Sequence, residues 1–320
     1  MRLPSFLRLP GPLPSRDGIS AETVAARYGH VLAPARDGES RDGESRGGAG
    51  RDADARDGGA PDAGARGGPV QVSFPVQVSF VVPAHNEEAY LPATLGGILA
   101  EIERTGCTAE LVVVDNASTD RTAAVAAAVP GVRVVREPQK GLSAARQAGF
   151  VATSGRLVAN VDADTLLPEG WLARVLDSFA RDPKLVALSG PYIYYDVSPA
   201  VRRMARLFYL VGFGTYSFNR FVLRVGSMLQ GGNFVVTRAA LERIGGYDPA
   251  FTFYGEDTDV ARRLHRIGRV RFTLDLPAFS SGRRLAGEGM FMVGWRYSVN
   301  YLWATFVGKP FTRDSVDFRP

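Results

Sequence analysis

The chain has 320 residues, 45% of them apolar and 22% charged, the balance of a globular protein with a sizeable core. Its 38 Lys+Arg against 33 Asp+Glu leave +5, too little for a nucleic-acid coat but enough for a local basic surface facing a membrane or an anionic ligand. A single cysteine, Cys107, excludes internal disulfides and multi-cysteine zinc sites and suits a reducing compartment.

Residues 1–35 hold one helical stretch, 21–28, with no role to read from it. The four prolines within residues 1–15 prevent the helical core of a signal peptide. The longest charge-free apolar runs, 207–219, 225–237 and 297–308, fall short of the roughly 18–20 residues that cross a bilayer. The expected location is cytoplasmic, in solution or peripheral on the cytoplasmic membrane face. Segment 36–68 contains ten Gly, six Ala, six Arg and eight acids but no large apolar residue, so it cannot offset its chain entropy and reads as a disordered linker. The repeat PVQVSF-PVQVSF closes the linker near residue 75, because Pro75 would interrupt a strand through both copies.

From residue 76 short apolar runs alternate with helical patterns. Strands are expected at 76–82, 111–114, 132–135, 157–161 and 185–189, and helices at 87–104, 118–128, 142–153 and 168–180. This is an α/β pattern with a mostly parallel, Rossmann-like central sheet flanked by helices. The divisions expected are 1–35, a linker at 36–75, a catalytic domain at 76–275, and a helical segment at 276–320 packed on the domain or at a membrane.

Polar clusters lie where strands end, the place where such sheets collect ligands. After the first strand, Pro83 stops the run. Glu87 and Glu88 suit a helix N-terminus, and His85 and Asn86 are left to line a pocket. After the second, Asp115 and Asn116 could read a base or ribose edge, while Ser118 or Thr119 caps the next helix. Lys140, Gly141 and Arg146 open a helix suited to phosphate or carboxylate. Asp162-Ala163-Asp164 places two carboxylates around one small residue, hard ligands for Mg²⁺ or Mn²⁺ shared with phosphates, or else a solvated turn. Asp257 either caps a helix or acts as a general base.

Taken in order, VSFVVPAHNEE, VVVDNASTD, KGLSAARQAG, NVDADT, GGNFVVTR and YGEDTDVARRL resemble the glycosyltransferase family 2 group with the GT-A fold. The resemblance implies a UDP- or GDP-linked nucleotide-diphospho-sugar donor, a divalent Mn²⁺ or Mg²⁺ and an inverting transfer to a glycan or lipid-linked acceptor. By the same analogy Pro83, His85, Asn86, Glu87 and Asp115 serve the nucleoside, with Lys140, Gly141, Ala145, Asp162 and Ala163 lining the donor site. Asp164, with Asp162, would hold the metal, and Asp257 would be the base. Gly232, Asn233 and Glu256 would lie on the acceptor side. Arg283 and Arg284 either contact the diphosphate from the C-terminal segment or stand in an exposed turn. The Q-x-x-R-W motif of processive members is absent, which favours single-sugar transfer.

Residues 197–241 carry six arginines (202, 203, 206, 220, 224, 238), no acid and interleaved aromatics, a composition for a membrane interface or an anionic acceptor, or for an insertion with solvated arginines. No nucleic-acid partner is expected. A nucleotidyltransferase, or a sugar-nucleotide-binding protein without turnover, shares the sheet. The first would need a Gly-rich basic loop where PAHNEE stands.

Overall fold

The computed structural model describes residues 6, 13–15, 18–32, 76–218, 228–251, 254–307 and 311. The linker reading at 36–75 and Arg220 and Arg224 of the basic block lie outside these. The described residues belong to one compact unit formed by 1–33 and 74–320.

In chain order the elements are α1 (Ala21–Tyr28), β1 (Val78–Ala84), α2 (Leu91–Thr105), β2 (Ala109–Asp115), α3 (Thr122–Ala127), β3 (Val132–Arg136), α4 (Leu142–Val151), β4 (Leu157–Val161), β5 (Thr165–Leu166) and α5 (Trp171–Arg181). There follow β6 (Leu185–Ser189), β7 (Tyr192–Tyr194), α6 (Pro199–Phe218), β8 (Asn233–Thr237), α7 (Arg238–Arg243), α8 (Glu256–His265), β9 (Arg269–Phe272), β10 (Ala278–Ser280), α9 (Arg283–Glu288) and α10 (Met290–Phe306).

The central sheet runs β3-β2-β1-β4-β8-β6-β9. β1 pairs in parallel with β2 and β4 at its two edges, its faces pack against α2 on one side and α4 on the other, and all seven of its residues are buried. Each such Val or Phe contributes on the order of 1.5–3 kcal/mol by leaving water. β8 departs from the parallel pattern: it lies antiparallel between β4 and β6 and sets Asn233 opposite Val161. Asp162 and Gly232 therefore adjoin. A second sheet, β5-β10-β7, gathers the residues after β4, β6 and β9 on one side of that junction.

Pro83 does not stop β1, which runs on to Ala84. The Ala84 carbonyl accepts the Asn116 N–H, so the alternation of the ladder turns the Pro83 nitrogen toward β4. Pairing with β4 ends at Val81 with Asn160, so the missing donor breaks no ladder bond.

The helical stretch expected at 21–28 is α1. Ser20 Oγ accepts the Thr23 N–H at 3.3 Å as its cap, and Ala21, Val24 and Tyr28 are buried in the core cluster that includes α2. A Cβ at Gly96 would lie 3.3 Å from Val24, so the glycine lets the two helices approach.

α6 and α10 leave a broad apolar surface. Leu207, Phe208, Val211, Phe291, Trp295 and Trp303 are all exposed, and the Phe208 ring lies against Gly294 where the two helices meet. No helix among the described residues is long and apolar enough to cross a membrane. The basic block is not uniformly solvated. Arg202 Nε donates to the Tyr194 carbonyl at 2.7 Å, and Arg238 Nε donates to that of Gly155 at 2.9 Å, so these two brace the fold.

Candidate active site

The chain leaves β1 for β2 on one side and returns through β4 on the other, so a crevice opens beyond the carboxyl ends of β1 and β4. Its first wall is the loop 85–90. Helix was expected here from residue 87, yet α2 begins at Leu91 because the loop spends its N–H groups on a neighbour. Asn86 N–H donates to Ser118 Oγ at 3.1 Å, Glu87 N–H to Thr122 Oγ1 at 2.8 Å and Glu88 N–H to Asp120 Oδ2 at 3.1 Å. In return Asn86 Oδ1 accepts the Thr119 N–H at 2.9 Å, and Asn86 holds a left-handed φ of 51° to do so. α3 starts late for the same reason, at Thr122, whose N–H is accepted by Asp120 rather than by Ser118 or Thr119.

Asn116 is a clamp, not a base reader. Its amide donates to the carbonyls of Glu137 and Gln139 at 3.0 and 2.7 Å, and its Oδ1 accepts the Gly141 N–H at 2.8 Å. Gly141 sits at φ 152°, so the loop before α4 needs a residue without Cβ. His85 is buried, with Nδ1 2.8 Å from the Asn116 carbonyl. Asp115 keeps a carboxylate at the crevice floor and accepts the Ser118 N–H at 3.3 Å. Lys140 is exposed on the same loop.

The second wall is the Asp162–Asp164 turn. Asp162 Oδ1 accepts from Arg146 Nη2 at 3.0 Å and Oδ2 from the Tyr192 hydroxyl at 3.1 Å, while a third of its side chain stays exposed. Gly232 admits this packing, since a Cβ there would fall 2.1 Å from both Asp162 Cγ and the Tyr192 hydroxyl. Asp164 faces Arg283, whose Nη2 lies 3.3 Å from Asp164 Oδ2 and also donates to Glu87 Oε1. Burial pushes the Asp164 carboxyl up to about 7, with Arg283 opposing and Glu87, Asp162 and Asp196 adding repulsion.

The third wall is the start of α8. Gly255, at φ 79°, turns the chain into the helix, so Asp257 is not the cap residue. Glu256 is buried and accepts from Arg146 Nη1. Burial raises its carboxyl to about 7 despite that bond, with repulsion from Asp257 and Asp162 adding to the rise and Arg146 opposing it. Burial raises the half-buried Asp257 as well, opposed by Arg146 and by its bonds from the Thr258 N–H and hydroxyl at 2.7 and 3.3 Å. For Arg146 burial works against the charge, but Glu256 first and Asp162 next hold its pKa above the ordinary arginine value. One fully buried guanidinium thus ties the end of β4 to the start of α8.

Three expected site residues have other duties. Ala145 is 1% exposed and packs in the core against the sheet. Ala163 is 3% exposed, and its carbonyl accepts the Thr94 hydroxyl at 2.7 Å. Asn233 is wholly buried; it accepts the Trp171 indole N–H at 3.0 Å and donates to the Gly190 and Leu276 carbonyls at 3.0 and 2.8 Å. Arg284 donates to the Tyr254 hydroxyl at 3.2 Å, beside Tyr297. Tyr192, Asp196 and Tyr90 were not anticipated; the sequence signal for the first two was the PYIYYD run after β6, and Tyr90 closes the PAHNEEAY loop.

This layout, a Rossmann-like sheet with an antiparallel strand beside a D-x-D turn, is that of a GT-A glycosyltransferase. The model of the family described as glycosyl transferase family 2 matches residues 79–245, and the chain belongs to that family. A model described as the N-terminal domain of galactosyltransferase matches residues 221–277. An uncharacterized glycosyltransferase of Mycobacterium tuberculosis is 41% identical over 109 residues, covering 34% of this chain and 46% of the relative. The undecaprenyl-phosphate 4-deoxy-4-formamido-L-arabinose transferase of Sodalis glossinidius is 34% identical over 116 residues, covering 34% and 36%. The beta-monoglucosyldiacylglycerol synthase of Synechocystis is 30% identical over 203 residues, covering 59% and 40%. The chain spans less than half the length of these relatives. Among solved structures, a Pyrobaculum calidifontis mannosyltransferase in complex with GDP-Man and Mn²⁺ shares the fold at a TM-score of 0.52 and 22% identity, covering 74% of this chain and 67% of that one.

Proposed function

We propose that the chain transfers one sugar at a time, with inversion, from a UDP- or GDP-linked donor to a hydroxyl or phosphate of a glycan or lipid-linked acceptor. The observation that carries this reading is the Arg146 bridge, which holds the donor-side carboxylate Asp162 and the Glu256–Asp257 pair on a single buried cation. Asp115 faces the nucleoside and the Asp162–Asp164 turn faces the diphosphate. For a hydroxyl acceptor, its oxygen attacks the anomeric carbon as the bond from that carbon to the diphosphate oxygen breaks. The proton passes to Asp257, and the nucleoside diphosphate leaves with the bonding pair. A phosphate acceptor is already anionic and needs no such proton transfer.

The donor set fits a divalent Mn²⁺ or Mg²⁺. Asp164 and Asp162 present hard carboxylate oxygens at the crevice, and such ions complete their shell with substrate phosphates and water. Among the described residues no group of three or more His, Cys, Asp or Glu is placed to hold a metal ion. Bound there, the ion would neutralise the charge developing on the leaving diphosphate.

In a thermal-shift panel of UDP- and GDP-sugars, one nucleotide should raise the melting point, Mn²⁺ should add to that rise, and Asp164→Asn should abolish the addition. Saturation at 100 times Kd corresponds to about 2.7 kcal/mol. A metal increment unchanged in Asp164→Asn would remove the metal assignment.

The exposed α6–α10 face supports a peripheral contact with an anionic membrane on its cytoplasmic side, through its aromatics and the adjacent arginines, Arg203 among them. The Sodalis relative, named for undecaprenyl phosphate, supports a lipid-linked acceptor. The full chain is expected to float with vesicles rich in anionic lipid, and Trp295→Glu, at a position 68% exposed, to release it without unfolding it. Absence of flotation at low salt would remove the membrane contact.

A further inference from the structure

Arg283 is the first residue of α9, and its guanidinium sits at the place assigned above to the metal. A single nitrogen serves two acids, Glu87 and Asp164. The flat face of the group lies over Tyr90, 4.5 Å from the ring centroid. Asp196 holds the turn behind it, accepting the Ser281 hydroxyl at 2.6 Å and the Gly282 N–H at 2.5 Å. The two acids are held unequally. Glu87 is nearly buried and makes the closer bond, whereas Asp164 stands 3.3 Å off. A guanidinium that gives up Asp164 therefore keeps Glu87 and the Tyr90 ring.

We propose that Arg283 is a built-in cation of the donor cleft: in the free enzyme it neutralises Asp164 from its anchor on Glu87 and Tyr90, and the divalent ion entering with the diphosphate displaces it from Asp164. The physical basis is competition. Glu87 and Asp164 share one nitrogen of Arg283, with Asp196 on the adjoining Gly282 N–H, and carboxylates so placed require a counter-ion. A fixed positive charge beside Asp164 repels a second cation at the same oxygens. A diphosphate reverses the balance, because it adds oxygens for the metal and accepts hydrogen bonds from the displaced guanidinium. Metal and nucleotide then bind with positive coupling. Arg283 is thus a positioning residue that keeps the metal site closed until a donor arrives. This rests on the assignment of Asp164 to the metal.

The test is Mn²⁺ binding to the full chain, followed by the electron paramagnetic resonance of free Mn²⁺, with and without UDP or GDP. Without nucleotide, Arg283→Ala and Arg283→Gln are expected to bind Mn²⁺ about tenfold tighter than the wild type. Arg283→Lys, which keeps the charge, should gain less. With nucleotide, the wild type should gain more affinity than either neutral variant. The nucleotide dependence is the discriminating readout, because a purely structural bridge, when broken, would change metal affinity equally with and without nucleotide. If both neutral variants bind Mn²⁺ no more tightly than the wild type while their circular dichroism is unchanged, the role of Arg283 is overturned. Asp164→Asn separates the two readings. Binding lost there without any gain in the Arg283 variants sinks this proposal alone, whereas wild-type binding in Asp164→Asn sinks the metal site and this proposal with it.

Discussion

Asp257→Asn should lower kcat about a thousandfold while leaving the donor KM and the melting point close to wild type. A positioned general base contributes roughly 10²–10⁴ in rate, and the amide of asparagine cannot take a proton. The fold should survive because the carboxylate's hydrogen bonds are local, from the N–H and hydroxyl of Thr258, and the Asn oxygen can still accept them. Its neighbour Glu256 is the natural competitor for the role, but Glu256 is buried and committed to Arg146. Asp257 is half-buried and not committed to Arg146 by a hydrogen bond, and burial raises its pKa above the ordinary aspartate value, which makes it a stronger base than a solvated aspartate. The sign of the pH dependence follows: the base must be ionised, so kcat rises with pH through that raised pKa and is lost below it. Single-turnover kinetics of the variant across pH would check both points. A loss under tenfold, or a pH profile unchanged from wild type, would transfer the base role elsewhere or point to a phosphate acceptor.

The reach of sequence reading has a physical pattern here. β1, β2, β4 and β6 were legible because strands covered on both faces leave near-continuous apolar runs, and the edge strand β3, with none of its residues buried, because three valines still mark it. The polar clusters were legible because such sheets place ligands at strand ends. The antiparallel β8 was not legible as a strand, since its partners β4 and β6 lie over 40 residues earlier and nothing in its five residues reports direction. The starts of α2 and α3 were misplaced because the N–H groups of residues 86–88 and the side chains of 118–122 satisfy one another across 32 to 35 residues. Helical periodicity is blind to a competitor so distant. The same applies to Asn233 and Ala145: a motif marks them, but only packing shows whether they face a ligand or hold the wall behind it.

Arg146 shows this most sharply and carries the largest expected effect on stability. Its sequence context suggested a ligand for phosphate or carboxylate. The carboxylates prove to be Asp162, 16 residues away, and Glu256, 110 residues away, with the guanidinium 0% exposed and stacked 5.5 Å from the Phe234 ring centroid. Removing one partner of a buried ion pair strands the other charge. Arg146→Met should therefore cost about 3–5 kcal/mol in urea unfolding, a large share of the roughly 5–15 kcal/mol that holds a typical domain together. The network is also incompletely satisfied: Arg146 Nε and Glu256 Oε2 are buried with no hydrogen-bond partner among the described residues. A network of that kind is an expensive way to build a core, which argues that it is kept for geometry rather than stability. The double variant Arg146→Met with Glu256→Gln separates the two. It removes the stranded charge and should recover part of the lost stability, giving a non-zero coupling energy in the cycle. Activity should not recover with it, because Asp162 and the start of α8 would no longer share an anchor. A single variant destabilised by less than about 1 kcal/mol would show that the bridge is not the junction described here. Recovery of turnover in the double variant would show that the geometry of the two walls is set by something else.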